Sequence, residues 1–191
     1  DLVKYPFQAS PEYSNTGNGY VYGVDVYFRD RKTIKNGDYW ISYSYLNSER
    51  NYLNYPTSAT PSFANAHTLS VVYKHWFEGL RSQLGATFSY GSPRPYNNPN
   101  SSQFMDDQLK PYRSLDMNWS WLFRDNIIIH AAISNVLGFN NVFGYNYSPV
   151  PNANGSFDRT DVLPMAKRFF FVGCFITLSK NGKENQLDKI N

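Results

Sequence analysis

Hydrophobic and polar residues alternate along most of this chain. In the segment 20–29 every second position is hydrophobic, from Tyr20 through Val24 to Phe28, and Asp25 and Arg29 lie between or beside them. A period of two residues is typical of a β-strand whose two faces meet different surroundings. The pattern predicts seven strands, at residues 19–29, 38–47, 66–77, 80–91, 112–123, 126–147 with an interruption, and 167–178.

The lengths of the predicted strands indicate what the two faces meet. Most of them reach ten residues or more, whereas strands in globular proteins average five or six. A tilted strand needs about 9–11 residues to cross a bilayer. The hydrophobic face of such a strand would meet lipid, and the polar face would meet a wet lumen.

The connections between the strands alternate in length. Short segments at 30–37, 78–79 and 124–125 alternate with long ones at 48–65, 92–111 and 148–166. Compact soluble domains rarely carry several long loops without structure, whereas outer-membrane barrels combine short periplasmic turns with long outer loops. A periplasmic C-terminus would place every long loop outside the cell.

These features predict an all-β fold, a segment of an antiparallel transmembrane β-barrel with seven to eight up-and-down strands. Residues 1–179 would form this C-terminal part of the barrel, and residues 180–191 would form a polar periplasmic tail. Residues 2–7 could contain the end of an eighth strand. Because an open sheet leaves bare edges, which lipid does not tolerate, we expect the neighbouring strands of a larger barrel upstream.

Alternation alone leaves two other architectures open. A soluble extracellular β-sandwich, acting as a carbohydrate- or peptide-binding module, has a similar pattern with the apolar faces inside. A small barrel, closed by this chain alone or by oligomerisation, is the other alternative.

Composition agrees with a barrel wall. Of the 191 residues, 18% are aromatic and only 17% are charged. A barrel wall explains both values, because aromatic residues collect at its two membrane interfaces and on its lipid face. The net charge of +3 is mild and no stripe of Lys and Arg is present, so nucleic acid is not an expected partner. No run of 18 apolar residues predicts a transmembrane helix.

Several short stretches, in order, resemble the C-terminal end of TonB-dependent outer-membrane receptors of the Bacteroidetes type. The resemblance covers the whole chain, and its motifs are specific as an ordered set rather than singly. They lie at residues 17–23 (GNGYVYG), 39–45 (YWISYSY), 48–50 (SER), 61–63 (PSF) with His67, 91–96 (GSPRPY), 134–138 (SNVLG), 140–145 (NNVFGY) and 168–173 (RFFFVG).

The resemblance implies a location in the outer membrane and a large barrel with a plugged lumen. It also implies import of a scarce ligand, such as a glycan, peptide or siderophore. The implied partners are outer-membrane lipid, upstream strands and plug, the TonB complex acting through the N-terminal part, and in some relatives a surface lipoprotein. In these receptors an N-terminal segment, the TonB box, and the plug domain couple to TonB. Both would lie upstream, so no functional residue of the family is carried over to this chain. The chain departs from the family in one respect, because Phe175 is followed by a polar tail rather than by the chain end.

Two groups of residues are candidates for contact with other molecules. The polar residues Asp25, Arg29, Arg81 and Asp116 are expected to face the lumen, where they would contact the plug, neighbouring charges or the ligand. The outer loops carry aromatic residues among many Asn, Ser and Pro, which suit sugars or peptides but equally suit packing between loops or against a lid. The aromatic candidates are Tyr52, Phe63, Tyr96 and Phe104.

Catalytic and metal chemistry find little support in the sequence. His67, His75 and His130 lack a metal-ligand spacing, and the adjacent Asp106 and Asp107 would point to opposite sides of an extended chain. Cys174 is the only cysteine, which excludes a disulfide framework and favours a small buried thiol. No catalytic sequence motif is present. We therefore expect neither an enzyme nor a bound cofactor.

Overall fold

The computed structural model describes residues 17–51 and 55–178, and this part of the chain is all-β. One sheet contains seven antiparallel strands, and two further sheets contain two short strands each. The strands are β1 (Asn18–Asp30), β2 (Gly37–Asn51), β3 (His67–Phe77), β4 (Ser82–Gly91), β5 (Pro95–Tyr96), β6 (Asp107–Gln108), β7 (Tyr112–Arg124), β8 (Ile127–Ile133), β9 (Gly144–Tyr147), β10 (Arg159–Val162) and β11 (Phe170–Ile176). A 3-10 turn covers Glu78–Leu80, and no helix in the described part is long and apolar enough to cross a membrane.

The large sheet runs up and down, in the order β1-β2-β3-β4-β7-β8-β11. Its members follow one another in the chain, with the hairpins β5-β6 and β9-β10 inserted in the connections. Within the described residues β1 and β11 are each paired on one side only, so these strands do not close into a barrel.

A continuous register carries the alternation of each strand across the sheet. Phe28, Ile41, Val71, Phe88 and Leu115 lie opposite one another on five successive strands. Because directly paired residues point to the same side, the hydrophobic positions of different strands combine into one surface. We call it the apolar face; it also carries Val24, Val26, Tyr43, Tyr45, Leu69, Tyr73, Leu84, Ala86, Tyr90, Met117, Trp119, Trp121, Ile129, Ala131, Ile133, Phe170, Val172 and Cys174.

The next row along the strands lies on the opposite side and is almost entirely serine. It consists of Tyr27, Ser42, Ser70, Ser89 and Ser114, again on five successive strands. This side is the polar face, and it further carries Asp25, Arg29, Ser44, Thr68, Lys74, Gln83, Thr87, Asp116, Asn118, Ser120 and His130.

The apolar face is open rather than packed as a core. On the interior strands Ile41 and Trp119 are 37% and 41% exposed, and on the two edge strands Val24 and Val172 are 60% and 75% exposed. Cys174, which the sequence suggested would be buried, is exposed on this face as well. The described strands therefore present hydrophobic side chains outward along the whole sheet.

Short and long connections lie at opposite ends of the sheet, as predicted. The segments 31–36, 78–81 and 125–126 join strands at one end, which we call the turn end. The segments 52–66, 92–111 and 134–169 join strands at the other end, the loop end; we call them loops 1, 2 and 3. Loop 2 contains the hairpin β5-β6 and loop 3 contains β9-β10.

Two strands are clearly shorter than predicted, because the strand expected at residues 167–178 covers only Phe170–Ile176 and the interrupted one ends early. The interrupted strand expected at residues 126–147 leaves the sheet after Ile133, because Asn135 and Gly138 adopt positive φ angles of 49° and 66°. A left-handed residue turns the chain away from an extended path. Gly144–Tyr147 is again extended, but it pairs with β10 inside loop 3 rather than with the large sheet.

Candidate functional site

The three long loops are joined into one layer over the loop end of the sheet. Between loops 1 and 2, the Asn65 side-chain amide donates a hydrogen bond to the carbonyl of Ser92 at 3.0 Å. Between loops 2 and 3, the Asn100 side chain makes two hydrogen bonds with the backbone of Phe157, at 2.9 and 2.7 Å. These hydrogen bonds between asparagine side chains and backbone groups fix the loops relative to one another.

Two of the aromatic candidates lie at contacts between these loops. The Phe104 ring meets the Tyr55 ring edge-on, with centroids 4.7 Å apart, and Tyr96 meets Tyr145 at 4.9 Å. The Arg159 guanidinium stacks 4.1 Å from the centroid of the Tyr145 ring. Packing between loops, one of the two roles considered for these residues, therefore describes what Tyr96 and Phe104 do in the chain itself.

The two other aromatic candidates have different surroundings. Phe63 is 58% exposed, and the Arg50 guanidinium lies 5.4 Å from the centroid of its ring. Tyr52 lies outside the described residues. Of the three candidates that the structure describes, Phe63 is thus the one whose ring is most accessible to a ligand.

A cluster of Tyr96, Tyr147 and Arg159 connects loop 3 to loop 2. Burial raises the pKa of Tyr147 to about 12, and the neighbouring Tyr96 phenol adds to the shift. The same Tyr96 hydroxyl is the main cause of a raised pKa at Arg159. Both shifts favour a neutral Tyr147 beside a charged Arg159, which keeps the cluster intact over the ordinary pH range.

We expect the Tyr147 phenol to ionise about two pH units later than an ordinary tyrosine, for which the pKa is 10.0. Because its folded-state pKa lies above the unfolded value, its contribution to the loop layer is complete below pH 10 and is lost as the pH rises towards 12. The measurement is an ultraviolet tyrosinate titration of the protein minus that of Tyr147→Phe. A difference curve with its midpoint at 10 would contradict the buried environment.

A cavity of about 420 Å³ lies between loops 1 and 2. It is lined by Ser48 at the end of β2, by the Phe104 ring and by polar groups that include Asp106 and Gln108. Met105, also in the lining, has a positive φ of 57°, which is unusual for a residue with a long side chain. The Ser48 hydroxyl is buried and has no hydrogen-bond partner among the described residues. A carboxylate, an amide and an aromatic ring around one cavity can bind a ligand that carries hydroxyl or amide groups.

Three of the polar candidates lie on the polar face, and each has a partner within the chain. Asp25 accepts a hydrogen bond from Ser44 across the β1–β2 pair. Arg29 makes a two-pronged ion pair with Asp38, at 2.9 and 2.6 Å.

Asp116 is the third, and its partners lie at the start of loop 3. Its carboxylate accepts hydrogen bonds from the Ser114 hydroxyl at 2.6 Å and from the Asn135 backbone at 2.8 Å. This carboxylate therefore anchors loop 3 to the polar face of β7.

Arg81 is placed elsewhere. The strand predicted to begin at residue 80 begins at Ser82, and Arg81 sits in the preceding turn with a φ of 47°. Its guanidinium pairs with Asp125 of the next short turn. The alternation pattern assigned Arg81 to the polar face because it cannot distinguish the last turn residue from the first strand residue.

The sequence reasoning missed two asparagines that organise loop 3. The Asn135 side chain donates to the carbonyls of Phe139 and Lys167, both at 2.9 Å. The Asn141 side chain pairs with both backbone groups of Arg113, at 2.7 and 3.0 Å. Asn tolerates left-handed and turn conformations, so the presence of Asn near the predicted strand break could have indicated that these residues organise a turn.

The histidines are not brought together. Each imidazole ring shares a hydrogen bond with a nearby hydroxyl group: His67 with Tyr43, His75 with Tyr73 and His130 with Ser120. Among the residues that the structure describes, no group of three His, Cys, Asp or Glu side chains could hold a metal ion.

Comparison with known proteins adds no assignment. The chain matches no family model, no curated protein and no solved structure.

Proposed function

We propose that this chain forms part of the barrel wall and the outer loops of a TonB-dependent outer-membrane receptor that imports a scarce ligand. One observation carries the proposal. A single register keeps mostly hydrophobic residues on one face of β1, β2, β3, β4 and β7 and mostly polar residues on the other, and all the long connections of the sheet lie at one end.

The distribution of side chains on the apolar face suits a bilayer. On β1, Val24 and Val26 lie between Tyr22 and Phe28, on β2 Ile41 lies between Tyr39 and Tyr43, and on β3 Leu69 and Val71 lie between His67 and Tyr73. Barrels place an apolar band of roughly 25 Å between two aromatic girdles, one at each interface. In this proposal the aliphatic residues contact the hydrocarbon and the rings contact the headgroups.

Two aromatic clusters would form these girdles. Near the turn end, Trp119 and Trp121 stack with centroids 6.0 Å apart, and Trp121 meets Phe123 at 5.1 Å. Near the loop end, Tyr20 stacks on Tyr22 with centroids 6.0 Å apart. Rings of this type combine an apolar body with a polar edge, which favours the boundary between lipid and water.

The polar face would line the lumen. Its hydroxyl row needs water or protein partners, and neither is offered by lipid. Near the turn end the Trp40 ring is flanked by two cations, the Arg29 guanidinium at 5.3 Å and the Lys74 ammonium at 5.1 Å. A surface with such groups is suited to contact with a plug from the upstream part of the protein.

In a bilayer the two edges of the sheet would require further strands. Each unsatisfied backbone group in lipid costs several kcal/mol, so β1 and β11 could not both border hydrocarbon as bare edges. In the proposed receptor, upstream strands pair with them, within a barrel of about 22 strands as in the transporter class. TonB would act through the upstream part, and a surface lipoprotein could cover the loops.

A soluble binding module is the other function considered. A β-sandwich needs a second sheet against its apolar face. In the described residues the only other sheets are two small hairpins in the loops, and Phe170 on the apolar face is 69% exposed. An apolar face that is open to its surroundings is what a lipid-facing wall has, and this favours the receptor over the sandwich.

Fractionation of cells that produce the full-length protein tests the proposal. We expect the protein in the outer-membrane fraction, soluble only with detergent, and migrating faster on a gel before heating than after, as intact barrels do. A protein that is released without detergent and stays monomeric in buffer would refute the receptor and leave the binding module.

A further inference from the structure

A second cavity, of about 410 Å³, lies on the polar face beneath loops 2 and 3. Its floor includes the hydroxyls of Ser70 and Ser89, which belong to the serine row. Its other walls include Arg94, Lys110 and Phe143 from the loops. The lining of the cavity thus combines serines of the sheet with two residues that carry cationic side chains.

The fold of loop 2 brings Arg94 and Lys110 to the edge of the same cavity. Pro95 pairs with Gln108 in the β5-β6 hairpin, and the Leu109 amide donates to the Arg94 carbonyl at 2.8 Å. Arg94 and Lys110 therefore lie at the base of one hairpin, and both line the cavity. The Arg94 guanidinium is further oriented by a hydrogen bond to the carbonyl of Phe143 at 3.1 Å.

The charge of this cavity is not balanced from within. Its lining contains no acidic residue, and among the described residues neither Arg94 nor Lys110 takes part in an ion pair. Two residues with cationic side chains line this cavity without a carboxylate among the lining residues, and a bound anion would balance their charge. Arginine in particular binds carboxylates and phosphates through paired hydrogen bonds.

We propose that this cavity binds a soluble anion of the carboxylate or phosphate class. Arg94 and Lys110 supply the charge, the hydroxyls of the floor supply hydrogen bonds, and the Tyr112 ring, stacked near Phe143 with centroids 6.3 Å apart, closes one side. The inference rests on the proposed function in one respect: a polar face that lines the lumen takes its anion from water rather than from a lipid headgroup.

Calorimetry on the full-length protein in detergent tests this inference, with citrate and pyrophosphate as anionic probes and maltose as a neutral probe. The test variant combines Arg94→Gln and Lys110→Gln. The matched control combines Lys32→Gln and Lys35→Gln, which remove the same charge in the segment 31–36 at the turn end.

We expect at least one anionic probe to bind the unaltered protein and the control alike. The test variant should bind it at least tenfold more weakly, and added salt should weaken binding to the unaltered protein. Restoring positive charge, with Arg94→Lys and Lys110→Arg, should recover most of the affinity. Equal losses in control and test variant, tighter binding of maltose than of either anion, or binding only to vesicles that contain anionic lipid would overturn the inference.

The two proposals fail in different ways. The test variant should fractionate with the outer membrane as the unaltered protein does, because neither side chain lies on the apolar face. A soluble protein that still binds citrate or pyrophosphate through Arg94 and Lys110 would refute the receptor but keep the anion site. A membrane-embedded protein that binds neither anion would refute the anion site but keep the receptor.

Discussion

Phe88→Arg should prevent assembly of the full-length protein in the outer membrane. Phe88 lies in the middle of β4 on the apolar face, between Val71 and Leu115 of the neighbouring strands. An arginine that faces lipid at the bilayer midplane costs about 2–4 kcal/mol. The measurement is the amount of heat-modifiable protein in the outer-membrane fraction, which we expect to fall to a small fraction of the unaltered level. Leu84→Arg should have the same effect, since Leu84 lies on the same face of β4.

The matched control for this prediction is Thr87→Arg. Thr87 precedes Phe88 on the same strand but lies on the polar face, where its paired neighbours are Val72 and Asp116. In the proposed receptor a cation at this position would meet lumen water and the Asp116 carboxylate, so assembly should be close to normal. Equal loss from both substitutions would mean that the two faces do not meet different solvents, and the receptor proposal would lose its main support.

Asn135→Ala should loosen loop 3 and destabilise the protein by about 3 kcal/mol, since each of three side-chain hydrogen bonds contributes roughly 1 kcal/mol. The Asn135 side chain donates to Phe139 and Lys167 and accepts from the Phe139 amide, all at 2.9 Å. The residue is only 7% exposed, so water cannot replace these bonds fully. Hydrogen exchange in residues 134–169 should quicken, while exchange in β3 and β4 should change little.

Two further variants separate the causes of this effect. Asn135→Gly keeps the freedom to adopt the positive φ of 49° but lacks the amide, so it should retain most of the defect. Asn146→Ala, an exposed position in β9 of the same loop, should leave exchange unchanged. If Asn135→Gly behaves like the unaltered protein, the backbone conformation rather than the hydrogen bonds determines the order of loop 3.

The sequence alone supports the strands of the sheet and the division of their residues into two faces. Alternation is a local property, because successive side chains on an extended chain point to opposite sides. The predicted strands around Val24, Ile41, Val71, Phe88 and Met117 all correspond to strands of the sheet. The order of short and long connections is also local, since it depends only on where the alternation stops, and it is confirmed.

Register, by contrast, is a property of pairs of strands. β11 is hydrophobic at nearly every position, so its own sequence gives no preferred face. Pairing of Phe170 with Ile133 and of Val172 with Ala131 places these two residues on the apolar face. Phe171 and Phe175 then lie on the polar face, near the His130 ring.

Tertiary structure likewise decided the candidate sites. Nothing local distinguishes a loop aromatic that contacts a ligand from one that packs on another loop, and Tyr96 proved to contact Tyr145 far along the chain. The same holds for Arg94 and Lys110, whose shared cavity exists only because the β5-β6 hairpin folds over the serine row. A repeating pattern of side chains determines which way each residue of a strand points, whereas a site requires that residues distant in the chain meet, which depends on register and loop packing.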